Sequence, residues 1–220
     1  MKKAFTLLEL VFIIIIVGII TTIMISDSKP TKIQEAATQL LSDIRYTQHL
    51  AMIDDKFNSG DSVWYRKRWQ LIFQTSATHT DSKLVYSIFS DSGTNTSNVL
   101  PNNSELAIDP SNHSGYLSGG TQSLYSTDNR ANKKMNLGLS YDIVSYSLKG
   151  GCRNSRLSFD NLGRPISGTL GKYTSSYKIS TTTSSPKLIN KLCVITLNSL
   201  NEGSISIHIE PETGYTYIPQ

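Results

Sequence analysis

The sequence predicts an α+β fold: a long N-terminal α-helix, transmembrane in its first half and amphipathic in its second, packed on a mainly antiparallel β head. Three observations predict it. Residues 5–25, FTLLELVFIIIIVGIITTIMI, are apolar apart from a few threonines, a glycine and the single acid Glu9. Apolar residues then recur at helical spacing to about Phe57. From Asn58 onward, short alternating segments punctuated by turn residues run to the C-terminus. Composition agrees, since Ser, Thr and Asn contribute 31, 21 and 14 of the 220 residues, uncharged polar groups suited to strand surfaces and turns. Lys+Arg 21 against Asp+Glu 17 leaves a formal +4, too small a balance to imply nucleic-acid binding by charge alone.

Taken in order, residues 1–4 form a short basic leader, Met1-Lys2-Lys3-Ala4, ahead of the apolar stretch. At about 1.5 Å per residue that stretch reaches roughly 30 Å, which predicts a membrane span over 5–25. A secretory signal peptide has a shorter apolar centre and an Ala-x-Ala cleavage pattern, and none precedes Ser26-Asp27-Ser28-Lys29-Pro30. A simple anchor accounts for the length and the two lysines but leaves Glu9 without a reason, because an ionised carboxylate deep in a bilayer costs about 2.5–3.5 kcal/mol. Pro30 predicts a break near 26–30. A second helical segment follows from Thr31 to about Phe57, with Ile33, Ala37, Leu40, Leu41, Ile44, Leu50 and Ala51 as its core face and Lys32, Glu35, Gln39, Asp43 and Gln48 between them.

The head is expected over 58–220. Val63–Gln74 reads as a half-buried strand with Tyr65, Trp69, Leu71 and Phe73 on one face and Arg66, Arg68, Gln70 and Gln74 on the other. Leu84–Ser90 gives a second strand, closed by Asp91-Ser92-Gly93, and residues 94–140 read as surface loops with short strands embedded. Tyr141–Leu148, Ser155–Asp160, Leu192–Leu197, Ser204–Ile209 and Tyr215–Ile218 complete the strands, with Asn161-Leu162-Gly163 and Glu212-Thr213-Gly214 as turns.

Lys2-Lys3-Ala4 followed by Phe5-Thr6-Leu7-Leu8-Glu9-Leu10 and a long Ile/Val run resembles the class III leader of type IV pilins and type II secretion pseudopilins. The resemblance implies a pilin-like fold, cleavage by prepilin peptidase between Ala4 and Phe5, and N-methylation of the new Phe5 amine. It also implies insertion in the inner membrane and assembly, with the inner-membrane assembly platform and other pilin or pseudopilin subunits, into a periplasmic or extracellular filament. Leu10–Ile25 would be the polymerisation surface, and Glu9 would meet the Phe5 ammonium of a neighbouring subunit. Ala4 stands where the family usually has Gly. Three further stretches, Ser42–Ala51, Arg156–Pro165 and Ile205–Tyr215, resemble segments of GspH/FimT-like minor pilins, so a minor pilin or pseudopilin is the reading. The implied topology puts the head outside the cytoplasm, where Cys152 and Cys193 are expected to form a disulfide.

No catalytic residue, metal site or cofactor is expected, nor a small-molecule substrate. His49, His79, His113 and His208 have no paired spacing, Asp109, Asp128 and Asp160 lack a calcium-loop pattern, and no phosphate loop or nucleophile elbow is present. Trp64-Tyr65-Arg66-Lys67-Arg68-Trp69 interleaves cations with aromatics, and Arg66, Lys67 and Arg68 are therefore candidates for holding nucleic acid during DNA uptake. Against that, no Lys or Arg follows Lys191, whereas Glu202, Glu210 and Glu212 do. A surface adhesin using residues 94–140 is a further alternative.

Overall fold

The computed structural model describes residues 6–24, 30–92, 100–152, 154–177 and 188–219. The chain divides into two units, Met1–Pro30 and Thr31–Gln220. The first contains helix α1 (Leu7–Met24). The second contains helix α2 (Lys32–Ile53), the one-turn α3 (Leu137–Ser140) and the strands. The expected break at 26–30 falls largely outside the described residues.

Among the described residues no helix is long and apolar enough to cross a membrane. The expectation of a long N-terminal helix with a transmembrane half over 5–25 is corrected accordingly. With it go the reading as a single-pass pilin or pseudopilin subunit inserted in the inner membrane, the DNA-uptake and adhesin variants of that reading, and the localisation that followed from insertion. Over the described residues α1 runs for 18 residues, about 27 Å, with the acid Glu9 in its first turn.

The second unit is α+β with two open sheets. The strands are β1 (Trp69–Gln74), β2 (Val85–Ser90), β3 (Ile108–Asp109), β4 (Asn112–Tyr116), β5 (Ile143–Gly150), β6 (Arg156–Phe159), β7 (Pro165–Ser167), β8 (Cys193–Ser199), β9 (Gly203–Ile209) and β10 (Thr216–Tyr217). One sheet runs β2-β1-β6-β7, the other β10-β9-β8-β5, and β3 pairs with β4 apart from both. Among the described residues every strand ladder is antiparallel.

Alternation along the strands builds one core around α2. Leu71 and Phe73 of β1, Tyr86 and Ile88 of β2 and Leu157 and Phe159 of β6 bury one face of the first sheet. Ile195, Leu197, Ile207 and Ile209 do the same for the second. Ile33, Ala36, Ala37, Leu40, Ile44 and Ala51 of α2 pack against both, with small alanines where the helix approaches closely. Both ends of α2 are tied to the sheets. The Glu202 carboxylate, in the β8–β9 turn, accepts from the backbone N–H groups of Lys32 at 3.3 Å and Ile33 at 2.7 Å, and Lys32 Nζ meets Asp142 at 2.6 Å. Towards the other end, Arg45 donates to the Thr216 carbonyl at 2.6 Å, and Gln48 Nε2 donates to the Gly163 and Thr213 carbonyls at 2.7 and 2.9 Å. Gly214, at φ +67°, leaves room for this contact, since a Cβ there would lie 2.6 Å from Gln48 Nε2.

Three local expectations change. Residues 63–68 are not strand: Asp61 accepts from Val63 N at 2.9 Å and starts a 3-10 turn over Trp64–Lys67, so β1 begins only at Trp69. Residues 100–140 are not simply surface loops. Their backbone bonds the outer edge of β2, Ala107 N to Ile88 O and Gly119 N to Tyr86 O, and Leu106, Leu124 and Ala131 cover Ile72 and Phe89 on the far face of the first sheet. Gly119 permits this close layering, because a Cβ would stand 2.5 Å from the Met135 carbonyl. Asp43, placed by spacing among the polar residues of α2, is buried; Tyr86 Oη donates to it at 2.5 Å and Gln39 Nε2 at 3.1 Å.

Replacing Glu202 by Ala should cost about 1 kcal/mol in urea unfolding, the loss of a helix-terminal cap. Burial raises the Asp43 carboxyl above its ordinary 3.8, outweighing the lowering by the Tyr86 and Gln39 hydrogen bonds. The folded state therefore holds this proton more tightly than the unfolded state, and that contribution, complete below about pH 3.8, is lost as pH rises through the folded value. The unfolding free energy of Asp43→Asn relative to wild type should shift in the variant's favour as pH rises from there; a difference independent of pH would contradict this account.

Candidate assembly interface

Leu, Ile, Val and Met supply most of α1, and the side chain of Thr6 starts it by accepting from Glu9 N at 3.3 Å while its carbonyl accepts from Leu10 N at 3.2 Å. Glu9 stands in the first turn, where the helix dipole favours a carboxylate. Consecutive large side chains from Leu7 (83% exposed) through Ile14 (62%) to Ile19 are uncovered, and consecutive residues of a helix point in all directions around its axis. The exposed surface is thus apolar round the whole circumference rather than along one stripe, with Glu9 the charged residue within Leu7–Met24. Gly18 leaves a further open position, with nothing within 4 Å of where a Cβ would sit. Ala4 and Phe5 lie outside the described residues.

The basic candidates sit elsewhere and are committed to the protein itself. Arg68 is buried, its guanidinium stacked 4.9 Å from the Trp64 ring centre and 4.7 Å from that of Tyr177, with Nη1 donating to the Ser176 carbonyl at 2.7 Å. Burial holds its pKa below the ordinary arginine value. Arg66 Nη2 donates to the Tyr173 carbonyl at 3.1 Å, and Lys67 pairs with Asp61 at 2.8 Å. These contacts are what the alternation of cations and aromatics serves: the side chains that would stack on bases hold Arg68 instead. Behind them the fully buried Asp160 accepts from Arg164 Nε at 2.8 Å, Tyr177 Oη at 3.1 Å and two backbone N–H groups of its own turn.

Cys152 and Cys193 are brought together as a disulfide, Cα to Cα 4.9 Å, both buried. It joins the turn after β5 to the first residue of β8, beside the Gly150–Cys193 register pair. A closed loop of this separation of 41 contributes roughly 4 kcal/mol in the chain-entropy picture. Asp109 accepts from Ser111 and Asn132, and Asp128 is held down to about 2 by the Arg130 side chain and backbone N–H. Among the described residues no group of three or more His, Cys, Asp or Glu side chains could hold a metal ion.

Sequence reasoning passed over Glu202, Arg45 and Gln48 as the anchors of α2. Polar residues at helix spacing look solvated until the turns they reach, far away in sequence, are known. It also passed over a groove of about 280 Å³ beside the start of α2, lined by Lys83, Leu84, Asp142, Val144, Leu200 and Asn201 among others.

Arg68→Ala should lower the stability of the folded protein by about 2 kcal/mol or more, since it removes two ring contacts and leaves the Ser176 carbonyl unpaired. Arg68→Lys, which keeps the charge but not the planar stack, should recover only part of that in the same denaturation measurement. Compared with family models, with curated proteins and with solved structures, the chain gives no match.

Proposed function

We propose that this chain is a non-catalytic assembly subunit that associates, through the apolar surface of α1, with copies of itself or with pilin-like chains. One observation carries the reading: α1 exposes large aliphatic and aromatic side chains on every face, and monomeric proteins rarely leave a contiguous apolar surface beyond a few hundred Å² uncovered. Neighbouring helices can cover such a surface from all sides by packing ridges into grooves. A helix apolar all round has no preferred face, so a bundle of several helices buries it more completely than a single partner.

Glu9 supplies direction within such a bundle. A carboxylate enclosed among apolar helices needs a cation, and truncating one half of a buried pair costs about 3–5 kcal/mol. The likeness of residues 2–10 to the pilin leader supports a source for that cation: prepilin peptidase cleaving between Ala4 and Phe5 frees an ammonium, and the resemblance pairs it with Glu9 of a neighbour. The head then takes no part in chemistry, and its disulfide and layered sheets serve to hold a fixed shape on the assembling helix.

Light scattering of the full chain at micromolar concentration should give a mass well above one subunit. Ile14→Asp combined with Val17→Asp should return it to monomer with an unchanged circular dichroism spectrum of the head, and Glu9→Ala should weaken assembly at least tenfold. A monomeric wild type, or a doubly charged variant that assembles equally well, overturns the reading.

A further inference from the structure

Four strands border the two sheets, β2 and β7 in the first, β10 and β5 in the second, and they are not finished alike. The edge of β2 is taken by the 106–119 segment: Ala107 N–H donates to the Ile88 carbonyl, Ile88 N–H to that of Leu117 and Gly119 N–H to that of Tyr86, at 2.9, 2.9 and 3.0 Å. The edge of β7 is taken by Ile189, whose N–H donates to the Pro165 carbonyl at 2.9 Å. β10 is two residues long. β5 has eight residues, paired with β8 on one side, and among the described residues nothing bonds the backbone groups of its other side. Alternate N–H and C=O groups of an antiparallel edge strand point outwards, so an open row of donors and acceptors runs along β5, the template to which a further strand adds. We infer that this strand is the β5 of a second copy, two heads pairing edge to edge and antiparallel across a two-fold axis.

Two properties of β5 select itself as the partner. The first is alternation. Tyr146 and Leu148 pack half-buried on the core side, opposite Leu197 and Ile195, whereas Ser145, Ser147 and Lys149 lie on the outer face, opposite Asn198, Thr196 and Val194. Directly opposed residues share a face, so a strand added here must be apolar towards the core side and polar outside. A two-fold axis through Tyr146 meets that condition, bringing Ser145 of one copy against Ser147 of the other. The second property is charge. Near the start of β5 stand the carboxylates of Asp142, Asp81, Glu35 and Glu202, with Lys32 and Lys83 as the cations, an acidic balance. At its end Lys149, which makes no ion pair among the described residues, is joined by Lys191, whose carbonyl lies against Gly151. Glu210 and Glu212 follow β9, two strands from this edge, which at about 4.8 Å per strand is a Debye length at physiological salt. Antiparallel pairing therefore sets the basic end of each β5 against the acidic end of the other, with Lys149 opposite Ile143 and next to Asp142, twice by symmetry. Asp142, with its side chain 48% exposed, can receive a second cation while it holds Lys32. Such a contact is isologous and closes as a dimer. It goes beyond assembly through α1 and uses none of its residues.

The full chain carrying Ile14→Asp and Val17→Asp, expected to be a monomer at micromolar concentration, isolates the head contact. At about 1 mM it should sediment as a dimer, and the amide signals of residues 144–149 in ¹⁵N-labelled protein should move as concentration rises. Lys149→Glu, at an exposed position, should weaken the dimer at least tenfold, and added salt should then strengthen association where it weakens that of the parent. In the same background, oxidising a mixture of the Ser145→Cys and Ser147→Cys chains should give an interchain disulfide between positions 145 and 147, found by peptide mapping, several-fold above the dimer that either chain forms alone. A parent still monomeric at that concentration, or a dimer that Lys149→Glu and salt leave unchanged, overturns this inference and leaves the α1 reading standing. Should the wild-type chain be monomeric at micromolar concentration, which overturns the α1 reading, the 145–147 disulfide still decides this one: its formation supports the β5 contact and its absence overturns it.

Discussion

The packing of α2 on both sheets at once is the constraint from which the rest of the head follows. A helix that buries Ile33, Leu40 and Ile44 against strands from two sheets fixes the spacing of those sheets, and its end anchors fix its position along them. Glu202 does this at one end through free helix N–H groups, which lack partners within the helix. Near the other end Arg45 does it by reaching a carbonyl of β10, and Gln48 by reaching carbonyls of two turns, all more than a hundred residues away in sequence. Because these bonds join α2 to the Asn161–Gly163 turn, the Glu212–Gly214 turn and the β8–β9 turn, three distant hairpins are set by one element.

Polar groups inside this head are committed rather than free. Asp43 is kept by Tyr86 and Gln39, Arg68 by two rings and a carbonyl, and Asp160 by an arginine, a tyrosine and its own turn. A buried charge is costly unless paired or hydrogen-bonded, so each such group makes its neighbours' positions more exacting. The basic–aromatic run at 64–69 shows the consequence: its side chains are used up in holding the Trp64–Arg68–Tyr177 stack, and the surface that would read as a nucleic-acid groove is interior.

α1 stands in contrast. Thr6 Oγ1 accepts from the Glu9 backbone at its start, and among the described residues the large side chains from Leu7 to Ile19 stand exposed. A helix of that composition is stable only where other apolar matter surrounds it.

Much of the framework was legible in the sequence, because period and punctuation are local. The 3.6-residue spacing of Ile33, Ala37, Leu40 and Ile44 marked α2, and alternation marked β2, β5, β6, β8 and β9 to within two residues, with the Gly163 and Gly214 turns between strands. The apolar run that forms α1 was equally plain, but its reading as a membrane span was not upheld, since composition shows that a segment must be covered without showing by what. What only the tertiary structure decided depends on residues distant in the chain. Asp43 looked solvated until Tyr86 arrived opposite it; 100–140 looked like loop because its layer is completed by bonds to the distant edge of β2; Arg66 and Arg68 looked free because the Tyr173 and Ser176 carbonyls and the Tyr177 ring lie a hundred residues on. Spacing records which side chains share a face, but a polar side chain's fate is set by the partner that folding brings within about 3 Å, and no local pattern contains that partner.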